Sequence, residues 1–247
     1  MTTQEKTNSG LSTDQNNLVD KNDSTFISEW KTIFKIGGIA TWLIIALIPI
    51  QMFFLIAFPP PKTVTGFFTL FQNSWFLGLT SLDLFYLLTN ILMIPMYLAL
   101  FFALYKTNKS LMTIAIIFGF IGISALFASN TSFEFLSLSK QYNAATSDAE
   151  KSIYLSAGQT MLSTYKGTAF DVYYVLNAIT LLILSFVMLK CDTFSKTTAY
   201  IGVLTGILMI IPTTAGIIGL TFGIASLIPW AIFSILVAKI FFRLSRD

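Results

Sequence analysis

The 247-residue chain contains no histidine, a single cysteine and few charges. Without histidine there is no imidazole base for a catalytic triad and no histidine ligand for haem. With only Cys191 there is no intrachain disulfide and no Cys/His zinc site. Cys191 sits beside Lys190 in a short polar stretch, where it reads as a reduced thiol. No nucleophile–base pair, phosphate loop or metal-ligand cluster is visible, so the sequence implies no cofactor and gives little support for an enzyme. A hydrolase built on carboxylates alone is the only catalytic class left open.

Charged residues make up 11% of the chain, hydrophobic residues 55%, and the mean hydropathy is +0.74. A water-facing surface on a chain of this size needs about 25% charge. Several apolar runs instead approach about 20 residues, the length that crosses a hydrocarbon core of roughly 30 Å. The expected fold is therefore all-α: a polytopic transmembrane helical bundle with membrane lipid as its main partner. The net charge of +3 is no nucleic-acid footprint.

Residues 1–25 are polar, have almost nothing to bury, and read as a disordered tail. Residues 26–35 suit an amphipathic lead-in at the membrane surface. Six spans are expected at about 36–58, 83–105, 111–131, 169–189, 197–214 and 217–238. The third can continue as helix towards residue 138. Pro49, Pro95, Pro212 and Pro229 fall inside these spans, where neighbouring helices can satisfy the freed carbonyls. Phe67, Phe68, Leu70, Phe71 and Trp75 form an interfacial aromatic segment. In the outer segment 132–167, Ser147 and Glu150 form a capping-box pair that should start a short surface helix, with Gly167 as its stop.

Placing both termini in the cytoplasm puts eleven of the fifteen Lys and Arg residues on the inner side. The four left outside are Lys62, Lys140, Lys151 and Lys166. This is the positive-inside bias. The small-residue pairs Gly202/Gly206 and Gly219/Gly223 mark close helix packing and hint only weakly at a homo-oligomer.

One phrase occurs twice. Asp83-Leu84-Phe85-Tyr86 is followed by Asn90, and Asp171-Val172-Tyr173-Tyr174 by Asn177. Each copy opens a span, each span ends in a lysine-bearing loop, and each is followed by a glycine-containing span. Spans two–three and four–five thus read as a duplicated two-helix hairpin. Counting about 1.5 Å per residue back from Lys106 and Lys190 puts both aspartates near the outer hydrocarbon boundary, with Glu134 at a similar level. Two readings follow. Asp83, Tyr86, Asn90, Glu134, Asp171, Tyr174 and Asn177 could line an outward-opening pocket for a cation or small cationic ligand. Alternatively the aspartates cap helix N-termini and the asparagines bond between helices, in a non-catalytic component acting through partners or lipid.

Four stretches carry a resemblance: LTSLDLFYLLTNILMIPMY at 79–97, FASNTSFEFLS at 127–137, YKGTAFDVYYVLNAI at 165–179 and ILMIIPTTAGIIGL at 207–220. They resemble a family of bacterial six-span integral membrane proteins catalogued as a domain of unknown function. The resemblance implies a bacterial cell-membrane protein with a single six-helix domain, and no activity.

Overall fold

The computed structural model describes residues 28–246. The expected tail, 1–25, lies outside the described residues. Among those described, every regular element is a helix. They are α1 (Lys31–Ala57), α2 (Val64–Asn73), α3 (Trp75–Ser81), α4 (Leu84–Leu104), α5 (Lys109–Ser129), α6 (Ser132–Ala144), α7 (Asp148–Tyr165), α8 (Thr168–Met188), α9 (Lys196–Met209) and α10 (Gly216–Leu244). By length and composition, five stretches can cross a membrane: α1, α4, α10, and the runs Lys109–Ala144 and Asp148–Met188. In the last two, α5 and α8 carry the apolar part.

The boundaries differ from the sequence reading in instructive places. The lead-in is no separate element from Lys31 onward, because the first span helix already starts there. The third span breaks at Asn130, which is extended, before α6 begins. α9 has 14 residues and ends before Pro212, so it is too short to be a spanning helix by itself. Proline lacks an N–H and pushes the residue before it out of helical geometry, which stops α9 instead of kinking it. Pro49, Pro95 and Pro229 do lie inside helices.

The long helices and α9 form a closed ring in chain order. α1 packs on α4, α4 on α5, α5 on α8, α8 on α9, α9 on α10, and α10 returns to α1. The faces that meet are set by small residues. A methyl group at Gly37 would strike Ala99, at Gly119 the Tyr97 ring, at Gly122 the Asn177 amide, and at Gly202 both Ser185 and Phe233. Inside the ring lie Phe34, Met96, Leu100, Leu184, Phe233 and Phe241. Outside it, Ile91, Ile121, Phe186, Leu204 and Ile228 are exposed. Helices that are apolar on both faces suit a lipid surround, where outward residues gain nothing from polarity.

The two ends of the ring differ. At one end Trp30 stacks on Phe102 with centroids 3.6 Å apart, and the Arg243 guanidinium donates to the Thr193 carbonyl at 2.8 Å. At the other end α2, α3, α6 and α7 form a cap around Phe67, Phe68, Phe71, Leu79, Leu82 and Phe135. The aromatic segment thus becomes two short helices, opened by Thr63 and Ser74, whose hydroxyls accept from Gly66 N and Leu77 N. α7 opens as the capping box requires: Ser147 Oγ accepts from Glu150 N at 3.2 Å. The reciprocal bond reaches one residue earlier than expected, with Glu150 accepting from Thr146 N at 3.0 Å.

Candidate functional site

The turn between α3 and α4 places Asp83 at the capped end with φ 66° and ψ 33°. This left-handed conformation is uncommon outside glycine, but aspartate is among the residues that tolerate it. Its carbonyl accepts from Leu87 N at 3.0 Å and so begins α4. Its carboxylate makes no capping bond. It turns away from the helix and accepts from the Tyr165 hydroxyl at the end of α7. The same ring carries the Lys166 ammonium 5.8 Å from its centroid. Asn130 holds the turn in place: its amide donates to the Leu82 carbonyl at 2.8 Å while its oxygen accepts from Ser132 N at 3.1 Å. Burial pushes the Asp83 carboxyl above its ordinary range, opposed by the Tyr165 hydrogen bond and the Lys166 charge.

Asp83 lines a cavity of about 250 Å³ between the end of α1, the proline turn, α3, the start of α4 and the end of α7. Its polar residues are Gln51, Thr80, Ser81, Asp83, Tyr86, Tyr165 and Lys166. Its apolar wall includes Phe54, Leu55 and Phe58 from the α1 end, with Phe85 opposite. Tyr165 and Leu162 close it from the cap.

Of the seven residues expected to share a pocket, Asp83 and Tyr86 line this cavity. Asp171 is in the first turn of α8, where the free N–H groups favour a carboxylate, and it accepts from the Thr214 hydroxyl. Glu134 is exposed in the first turn of α6. Neither belongs to the cavity wall, so the three carboxylates are not brought to one chamber. Tyr174, Asn90 and Asn177 lie deeper. The Tyr86 and Tyr173 rings stand edge to face with centroids 5.7 Å apart, and Tyr173 meets Tyr174 in the same way at 5.5 Å. Asn177 accepts from the Tyr97 hydroxyl at 2.7 Å and donates to the Tyr173 carbonyl at 3.1 Å. Asn90 donates to the Tyr86 carbonyl at 2.9 Å.

These bonds change how the doubled phrase aligns. Each asparagine amide bonds the carbonyl four residues earlier, so Tyr86 corresponds to Tyr173, not to Tyr174. The carboxylates then fall out of register. Asp83 precedes its helix, and Asp171 sits four residues after Gly167, the residue that opens α8. The amides repeat and the acids do not.

Sequence reasoning missed the roles of Tyr165 and Asn130. Tyr165 was legible only as part of the surface helix, and its bond to Asp83 joins residues 82 positions apart. Among the described residues no group of three His, Cys, Asp or Glu side chains could hold a metal ion. Compared with family models, curated proteins and solved structures, the chain matches none.

Proposed function

We propose that this is a six-pass protein of the bacterial cytoplasmic membrane that binds, and in doing so can carry, a small cationic or amine-bearing ligand. The site is the cavity under the cap, with Asp83 as counter-charge. The observation that carries this reading is the Asp83 turn. A left-handed aspartate that declines to cap its own helix, and lines a cavity instead, is local strain spent on placing a carboxylate. Cation-attracting aromatic surface is close by in Tyr86, Phe54 and Phe85.

The topology in this reading has both termini inside and the cap outside. At the uncapped end lie Lys31, Lys35, Lys106, Lys109, Lys190, Lys196, Lys239, Arg243 and Arg246, against Lys62, Lys140, Lys151 and Lys166 at the cap. That bias supports a cytoplasmic uncapped end. A sixth pass is supported by two contacts. Thr193 meets Arg243 at one end and Thr214 meets Asp171 at the other, so residues 193–214 cover the depth that α8 covers. The matched Tyr–Asn bonds of α4 and α8 support a duplicated hairpin.

The test is a thermal-shift screen of the purified protein against inorganic cations, small amines and lipids, on wild type, Asp83→Asn and Asp171→Asn. An amine should stabilise wild type and Asp171→Asn, and leave Asp83→Asn unmoved. If no amine or cation shifts the wild type, the binding reading fails.

The second reading is a non-catalytic structural or regulatory component working through lipid or partners. Asn177, which accepts from the Tyr97 hydroxyl of α4, and the Thr180 hydroxyl, shared between the Leu176 carbonyl of its own helix at 2.8 Å and the Ala115 carbonyl of α5 at 3.2 Å, favour it as internal glue between helices.

A further inference from the structure

The cavity holds both signs of charge. Asp83 and Lys166 both line it, and they are not joined to each other. Asp83 takes the hydroxyl end of Tyr165, and Lys166 stands over the ring of the same residue. Among cationic and amine-bearing ligands, one that also carries an anionic group uses both walls, because it pairs with the ammonium that a bare cation would be repelled by. A carboxylate and an ammonium held apart by one ring complement a ligand that carries an amine and an anionic group a few bonds apart.

The apolar wall says where such a ligand comes from. Leu55 and Phe58 line the cavity and yet are 52% and 46% exposed. The same flank continues as Phe53 and Ile56, 61% and 75% exposed. The α1 flank of the cavity therefore runs on into the exposed apolar surface of the bundle. A volume of about 250 Å³ falls below the about 300–1,000 Å³ of clefts that enclose drug-sized ligands. It fits a head group, with a chain left outside along α1.

Resting on the reading above, we infer that the natural occupant is a membrane lipid with a zwitterionic amine-and-phosphate head, entering sideways from the bilayer. Its ammonium faces Asp83, its phosphate faces Lys166, and its acyl chain runs over Leu55, Phe58 and Phe53.

The experiment uses the full chain in a nonionic detergent, with binding read by native mass spectrometry and thermal shift. The probes are lysophosphatidylethanolamine, lysophosphatidylglycerol, phosphoethanolamine without a chain, and ethylamine. Wild type should bind lysophosphatidylethanolamine at least about tenfold more tightly than lysophosphatidylglycerol or phosphoethanolamine. Asp83→Asn should abolish the preference for the amine head, and Lys166→Gln should weaken both lysolipids. Asparagine accepts the left-handed backbone and can still accept from Tyr165, so Asp83→Asn should fold; Lys166 is exposed, so Lys166→Gln should fold as well. Equal binding of the two lysolipids by wild type, or an unaltered response in Lys166→Gln, overturns the proposal. Phosphoethanolamine binding as tightly as its lysolipid also overturns it, and makes the source a soluble one. If ethylamine stabilises wild type through Asp83 while the lysolipid does no better, the cation site stands and the lipid does not. If no amine binds at all, both readings fall.

Discussion

Among the described residues, Asp83 is the only non-glycine residue with positive φ, and it is also the carboxylate that lines the cavity. Burial raises its pKa, so the folded state holds the Asp83 proton more tightly than the unfolded chain does. The sign follows: the stability linked to this proton is fully present below the unfolded carboxyl value of about 3.9, and is lost as pH rises through the raised folded value. Wild type should therefore lose thermal stability relative to Asp83→Asn as pH rises from about 4. Parallel melting curves across that range would remove the buried-carboxyl account. An amine ligand needs the ionised form, so its affinity should rise over the same interval. Deeper in the bundle, Tyr97→Phe strands the buried Asn177 oxygen. The expected cost is about 1–2 kcal/mol, read by denaturant unfolding in micelles.

At the scale of elements, the α5–α8 pair is the most exacting contact, because glycine lets two polar side chains lie between the helices. Gly122 faces the Asn177 amide, and Gly119 faces Tyr97 and Thr180. Gly122→Val should displace Asn177 and its bond to Tyr97, destabilising by about 1–3 kcal/mol, as overpacking does. Wild-type unfolding by this variant would mean that the interface is looser than its geometry. Gly216→Ala is a contrasting case. No atom crowds that position, but its φ of 66° strains any residue with a side chain. The helices themselves were legible in the sequence, since apolar runs of about 20 residues have one stable form in lipid. The short α9 was not, because hydropathy runs on through Ile210 and Ile211 while backbone sterics before Pro212 end the helix.

For the whole molecule, the ring closes α10 on α1, which lie at opposite ends of the described chain. The prediction at this scale is topological. Cysteines introduced in a Cys191→Ser background at Asn108 and Ser245 should be labelled by a membrane-impermeant maleimide only after the membrane is opened. A cysteine at Ser147 should be labelled in intact cells. Labelling of Ser245 and Ser147 from the same side would leave five passes, consistent with the five stretches that are long and apolar enough by themselves. The cap follows the same scale. Phe67, Phe68 and Phe71 read as an interfacial belt because each is apolar, but their burial requires Phe135 and Leu82 from distant segments.

Composition and the length of the apolar runs together pointed to a bundle of apolar helices, because 11% charge is less than half of what a water-facing surface carries and runs of about 20 residues match a hydrocarbon core. Local rules determined the Ser147 start and the prolines inside α1, α4 and α10. Tertiary structure decided everything that depends on residues meeting across the chain. It separated Asp83 from Asp171 and Glu134, gave Asp83 to Tyr165 and Asp171 to Thr214, and set Asn177 against Tyr97. A period along the sequence fixes which residues share a helix, but one residue of offset turns a side chain by about 100°, and only the packed neighbour decides which way it faces.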